Sequence, residues 1–273
     1  MILDIASSFE RCTPLLLTEC WRDLGGEATM RIQVCGPTVV ERGGQRLEGR
    51  LPGRQGRLLF AYLVLNRHRS CARGELVDAL WPRELPAATE TALNALVSKL
   101  RKILGPGTLD GRSSLRLQLG RADEVDVEVA LEAVHRAESQ IALERWKDAW
   151  GPALVALFIA EREFLPGEDA PWIDAERYRL GEVRLRALEA YAAAALGIGG
   201  TELAAAVRSA RRVVTLAPLR ETGYQVLMRA LAKQGNSAEA LRVYSDLCDE
   251  LRAELGVSPS SSSQAVYEEL LHM

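Results

Sequence analysis

The sequence holds no cysteine pair spaced as C-x-x-C, and its five cysteines, Cys12, Cys20, Cys35, Cys71 and Cys248, form an odd and scattered set. That pattern excludes a disulfide framework and reads as reduced thiols in a cytoplasmic protein. Only three histidines occur, His68, His135 and His272, none with Cys or carboxylate neighbours at ligand spacing, so no metal site is expected. Apolar runs are short: Pro14 to Leu17 is flanked by Asp4, Glu10 and Arg11, with no basic segment or cleavage site to make it a leader. Nothing approaches the ~20 apolar residues of a membrane span. The catalytic motifs G-x-S-x-G and H-E-x-x-H are missing, and the G-I-G-G at 197–200 lacks both the lysine and the preceding strand of a phosphate loop. No enzyme and no cofactor is therefore expected. Aromatic residues make up only 5% of the chain, and Trp81, Trp146, Trp150, Trp172, Tyr191 and Tyr244 sit in helical patterns as packing residues.

What is present is a soluble globular composition of 273 residues, 48% hydrophobic and 26% charged, enough for two ordinary domains. The net charge of −3 conceals an asymmetry. Between Arg31 and Arg121 there are 16 basic and 7 acidic residues, an excess of nine; elsewhere 18 basic residues face 30 acidic ones, a deficit of twelve. A basic block joined to an acidic one implies that only the first meets a polyanion.

Residues 1–29 show no sustained periodicity and read as an N-terminal extension, either a flexible tail or the product of an upstream start codon. From Arg31 the pattern becomes strand-like, with Ile32 and Val34 alternating with polar residues, then Val39-Val40, then a turn at Gly43-Gly44. Leu47 and Leu51 predict a third short strand. Three helices follow: one behind Arg54-Gln55 carrying Leu58, Leu59, Tyr62 and Leu63; one over 72–80, stopped by Trp81-Pro82; and one over 86–104, ended by Gly105-Pro106-Gly107. Leu109, Leu115, Leu117 and Leu119 around Gly111-Arg112-Ser113-Ser114 predict a β-hairpin. Beyond Asp126 every segment is helical. Ala204, Ala206, Val207, Ala210 and Val213 correspond, 34 residues later, to Ala238, Ala240, Leu241, Tyr244 and Leu247, the period of tetratricopeptide repeats. The expected fold is mainly α with a small β portion: a winged helix-turn-helix over 30–122 and a tetratricopeptide-like α-helical domain over 126–273.

The third helix divides its labour. Leu93, Val97, Leu100 and Leu104 form one apolar face, and the other side presents Thr91, Asn94, Ala95, Ser98 and Lys99, which are the candidates to face bases. Asparagine can pair with adenine, lysine with guanine, Ser and Thr with either, and Ala95 can touch a thymine methyl. Arg54, Arg57, Arg101, Lys102, Arg112 and Arg116 are the candidates for phosphate contact, the last two on the hairpin. A helix in the major groove with a basic wing beside it is a coherent docking arrangement.

These segments carry a family resemblance. The R-Q-G-R-L-L-F-A-Y-L-V-L-N run, the E-L-V-D-A-L-W-P segment at 75–82 and the V-S-K-L-R-K-I-L segment at 97–104 resemble the OmpR-type winged helix of the Streptomyces antibiotic regulatory protein family. W-G-P-A-L at 150–154, P-W-I-D-A-E-R at 171–177, A-E-A-L-R-V-Y at 238–244 and E-L-G-V-S-P at 254–259 are similar to the bacterial transcriptional activator domain of the same family. The resemblance implies binding to direct repeats of double-stranded promoter DNA and recruitment of RNA polymerase holoenzyme, with a homodimer as an option for the helical surface. One departure stands out. Many members of that family carry basic or long polar residues early in the recognition helix, where this chain has Glu84 and Glu90, and a carboxylate there repels DNA unless it caps the helix or accepts from cytosine.

The rival reading is a tetratricopeptide-like protein-interaction scaffold with a degenerate winged helix. Cys71, though near Arg69 and Arg73, and Cys248 read as structural thiols, and His135 reads as a surface or packing residue.

Overall fold

A computed structural model describes residues 29–272; the extension at 1–28, with Cys12 and Cys20, lies outside the described residues. The chain opens with β1 (Met30–Gln33), β2 (Val39–Arg42) and β3 (Gln45–Arg46), an antiparallel meander in which Ile32 faces Val40. The third strand lies earlier than the leucines predicted. Leu47 and Leu51 flank a single turn of tighter helix at Glu48–Arg50 instead, and both are buried.

The three expected helices are α1 (Gly53–Leu65), α2 (Arg73–Leu80) and α3 (Thr89–Leu104). Between α1 and α2 a short strand, β4 (Cys71–Ala72), pairs with β6 (Ser114–Leu117), which also pairs with β5 (Leu109–Asp110). The hairpin expected after α3 is therefore a three-stranded wing in the order β4-β6-β5. Its tip needs a glycine: Gly111 has φ +94°, and a Cβ there would meet the Ser114 carbonyl oxygen at 1.9 Å. Glu75 organises the α1–α2 junction by accepting from the Arg69 guanidinium, from Tyr62 Oη at 2.6 Å and from the Ala72 N–H at 3.3 Å. The Arg69 hydrogen bond, with help from Tyr62, holds its carboxyl down at about 2.

A two-residue strand, β7 (Glu124–Val125), then runs parallel to β1 and leads directly into the helical portion. That portion comprises α4 (Asp126–Ala142), α5 (Trp146–Ala160), α6 (Pro171–Ile198), α7 (Leu203–Leu216), α8 (Glu221–Lys233), α9 (Ser237–Leu255) and α10 (Ser261–Leu271). Consecutive helices pack on one another in chain order, as stacked helical hairpins do. The 34-residue correspondence has a structural counterpart. Ala206 and Ala240 are both fully buried, as are Val213 and Leu247, while Ala204 and Ala238 are both exposed. None of the described helices is long and apolar enough to cross a membrane.

The two portions share one core. A single cluster of buried residues runs from Ile32, Leu59 and Leu100 through Val127 and Val134 to Phe164, Ile173 and Val183. Backbone joins them too. Asp126 at the start of α4 accepts from the N–H groups of Val34 and Cys35 at 3.1 and 2.9 Å, and Cys35 bridges Phe164. Burial pushes the Asp126 carboxyl above the usual carboxylate range, and these backbone donors work against that rise. Trp172 of α6 packs edge-on against Tyr62 of α1, ring centroids 5.2 Å apart, and donates its indole N–H to the Ala79 carbonyl at 3.1 Å. Its neighbours explain why this tryptophan is a packing residue.

Candidate nucleic-acid interface

The interface is built on α3. Leu93, Val97, Leu100 and Leu104 are buried and recur at four, three and four residues, which pins one face of the helix to α1 and the wing. Each such side chain is worth roughly 1.5–3 kcal/mol when fully buried, so the helix cannot roll about its axis without losing several. The helix C-terminus is held as well. The carbonyl of Leu104 accepts from the Arg42 guanidinium of β2 and from Thr108 Oγ1 at 3.0 Å. A cation at that end meets the negative end of the helix dipole. The opposite face is thereby presented outward, and Thr91, Asn94, Ala95, Ser98, Lys99 and Lys102 are all exposed.

Beside this face lies a cleft of about 500 Å³ between α3 and the wing. Arg73, Asn94, Ser98, Arg101, Lys102 and Arg112 line it, with Val97 and Leu115 at its floor. Four of these residues are cationic, and no carboxylate is among the lining groups. Such a cleft is complementary to a strand of phosphates.

The six expected phosphate contacts divide. Lys102 and Arg112 are exposed, line the cleft and have no ion-pair partner among the described residues. Arg101 lines it too, but its guanidinium donates to the carbonyls of Leu109, at 3.2 Å, and Gly111, so it braces the base of the wing. Arg116 is exposed on β6, with its Nε directed to the Arg67 carbonyl at 3.3 Å. Arg54 and Arg57 lie elsewhere. Both reach Glu168, which lies between α5 and α6, at 2.6 and 3.5 Å, and neither lines the cleft. A carboxylate supplied by a distant part of the chain occupies the donors that the sequence left free, and only the fold reveals it.

Sequence reasoning missed Arg73. It stands at the first position of α2 and donates to Glu90 Oε2 at 2.8 Å, to Asn94 Oδ1 at 2.8 Å and, more loosely, to the Arg112 carbonyl at 3.3 Å. The Glu90 that departs from the family pattern is thus an internal partner and not a bare carboxylate facing a duplex. Glu84 is exposed in the loop before α3. The one available signal was Glu90 and Asn94 sharing a helix face four residues apart; their partner is 17 residues away from Glu90 in sequence.

Cys71 is fully buried on β4, and burial pushes its thiol up. His135 is exposed on α4.

The helical portion matches the family described as bacterial transcriptional activator domain over residues 125–271. The whole chain is similar to the regulatory protein AfsR of Streptomyces coelicolor, at 35% identity over 253 residues, covering 89% of this chain and 24% of that protein. It is also similar to the transcriptional regulatory protein MoaR1 of Mycobacterium tuberculosis, at 26% identity, with 89% of this chain and 79% of that protein covered. The regulatory protein DnrI of Streptomyces peucetius matches at 27% identity, with 89% and 92% covered. The chain therefore spans about a quarter of the length of AfsR. Among solved structures, EmbR of Mycobacterium tuberculosis, in complex with a low-affinity phosphopeptide, superposes with a TM-score of 0.78 over 90% of this chain and 66% of that one, at 22% identity. The winged-helix and tetratricopeptide-like architecture is common to both.

Proposed function

The chain belongs to the bacterial transcriptional activator domain family, in its Streptomyces antibiotic regulatory protein form, and from that premise we propose that it is a transcription regulator that reads promoter DNA with α3 and its wing. One observation carries the reading: a helix fixed by four buried residues exposes Asn94, Ser98, Lys99 and Lys102 next to a cleft with four cationic residues. In this reading Thr91, Asn94, Ala95, Ser98 and Lys99 meet base edges in the major groove, while Lys102 and Arg112 meet phosphates. Arg54 and Arg57 drop out of the contact set, and Arg101 serves by holding the wing. The acidic stack of helices supplies the second half of the activity. Its surface suits RNA polymerase holoenzyme or a second copy of the chain, so that two reading heads occupy direct repeats in the cytoplasm.

The electrostatic part of this proposal is quantitative. Lys99, Lys102 and Arg112 are the exposed cations at the reading face without ion pairs among the described residues. With Lys102 and Arg112 on phosphates, log affinity for a duplex should fall linearly with log salt, with a slope of about −0.9 per phosphate, hence roughly −1.8 for each bound chain. Fluorescence anisotropy of labelled duplex between about 50 and 200 mM salt measures it. A flat response would leave α3 without an electrostatic role and favour the scaffold reading.

A further inference from the structure

Asparagine on a recognition helix ordinarily presents both ends of its amide to a base. Bidentate pairing with adenine uses the oxygen as acceptor for N6–H and the nitrogen as donor to N7. In this chain one of the two lone pairs of that oxygen already serves a cation. Asn94 Oδ1 accepts from Arg73 Nη2 at 2.8 Å, and the same guanidinium is held by Glu90 Oε2 through Nε at 3.1 Å and Nη2 at 2.8 Å. A contact at 3.3 Å to the Arg112 carbonyl ties the remaining Nη1 to the wing. Arginine has donors only, so chemistry alone dictates which end of the amide faces it: the oxygen must point to Arg73 and the nitrogen away. Arg73 cannot drift from this position cheaply, because its side chain is about four-fifths covered and its donors are spread over two elements, α3 and the wing.

From this geometry we infer that Arg73 is a positioning residue for base choice, which turns the amide N–H groups of Asn94 towards the duplex and favours guanine over adenine at its base pair. The free end of the amide carries two N–H groups. Guanine offers two acceptors, N7 and O6, on its major-groove edge. Adenine offers one acceptor and one donor, and its N6–H would have to share Oδ1 with a guanidinium whose positive charge repels that donor edge. Glu90 is the second part of the device. By pairing with Arg73 it neutralises a cation that would otherwise swing to phosphate, and so fixes it on Asn94. The carboxylate that looked misplaced on a DNA-reading helix becomes the anchor of its selectivity.

This inference rests on the duplex-reading proposal above, and its test separates the two. The full chain is used to select binders from a random-sequence duplex library, in parallel with Asn94→Ala, Arg73→Met, Arg73→Lys and Asn94→Asp variants. The base pair read by Asn94 is the one whose preference Asn94→Ala flattens. At that base pair the unsubstituted chain should prefer guanine over adenine by about tenfold. Arg73→Met should release the amide and move the preference to adenine, whereas Arg73→Lys, which keeps a donor beside Oδ1, should retain guanine. Should Arg73→Met fail to fold, Asn94→Asp carries the test: it keeps the Arg73 contact, replaces two donors by an acceptor, and should turn the preference to cytosine on the same strand. An adenine preference in the unsubstituted chain, a guanine preference that survives both Arg73→Met and Asn94→Asp, or a bound motif with no position sensitive to Asn94→Ala would each overturn the inference while leaving DNA binding intact. Failure to enrich any duplex would overturn both.

Discussion

Replacing Ser98 and Lys99 together by glutamate should abolish promoter binding while leaving the fold unchanged. Both side chains are exposed on α3, so the substitutions create no cavity and bury no charge. Glutamate is also a good helix former, and the helix keeps its four buried leucine and valine anchors. The change therefore acts on the ligand alone. It removes one cation and adds two carboxylates at the centre of the face that should approach the duplex. Losing one good base contact already costs about 1–3 kcal/mol, and two unpaired carboxylates against bases add repulsion and desolvation. A loss on the order of 100-fold or more is expected, read by anisotropy or gel shift, with the circular dichroism spectrum and melting temperature unaltered. A protein that used its winged helix only as a scaffold would bind its partner equally well with these substitutions. Undiminished DNA binding would mean that the reading face has been assigned to the wrong surface.

The second large effect lies in the shared core. Phe164 is 1% exposed, sits in the bridge to Cys35 and packs against Trp172 with ring centroids 6.1 Å apart. It belongs to the connection between α5 and α6, yet its cluster includes β1 and α1 residues. Phe164→Ala should cost roughly 3–5 kcal/mol, the usual toll of emptying a phenylalanine site that cannot collapse. Because the two portions bury their apolar faces against one another, the destabilisation should appear as one unfolding transition at lower denaturant, seen alike by far-UV circular dichroism and tryptophan fluorescence. Two separated transitions, with the winged helix melting at its original midpoint, would contradict the continuous core. The structural consequence of continuity is orientation: α3 is held in place by the helical stack and does not swing on a linker.

Much of this was legible in the chain before its fold was known. The exposed and buried faces of α3 follow from the spacing of Leu93, Val97, Leu100 and Leu104, and the wing follows from alternating leucines around Gly111. The helices after Asp126 and the 34-residue correspondence of Ala206 with Ala240 follow from apolar periodicity. Local pattern is enough there because each element is amphipathic by itself. What escaped notice depends on pairing between distant segments. β4 and β7 are two residues each, too short for any alternation to show, and exist only because β6 and β1 offer them edges. The 3-10 turn at Glu48–Arg50 escaped for the opposite reason, since Leu47 and Leu51 fit a short strand as readily as a helical turn.

The candidate interface divides along the same line. That Asn94, Ser98 and Lys99 share an exposed helix face is a local fact, and the sequence states it. Which cations remain available is a global fact. Arg54 and Arg57 look identical to Lys102 and Arg112 in the sequence, and only the approach of Glu168 across the junction separates them. Arg73 escaped for the same reason, since its three partners come from α3 and the wing. The basic excess between Arg31 and Arg121 falls on the portion that carries the cleft, and several of its cations are engaged within the fold.

The central claim is that this molecule inserts α3 into the groove of specific duplex DNA. Footprinting of the intact chain on DNA upstream of its own and neighbouring operons tests it most directly. The account predicts two protected segments about one helical turn apart, with major-groove guanines and adenines shielded from alkylation inside each. Uniform reactivity along every fragment at low salt, at protein concentrations that saturate other members of the family's fold, would contradict it.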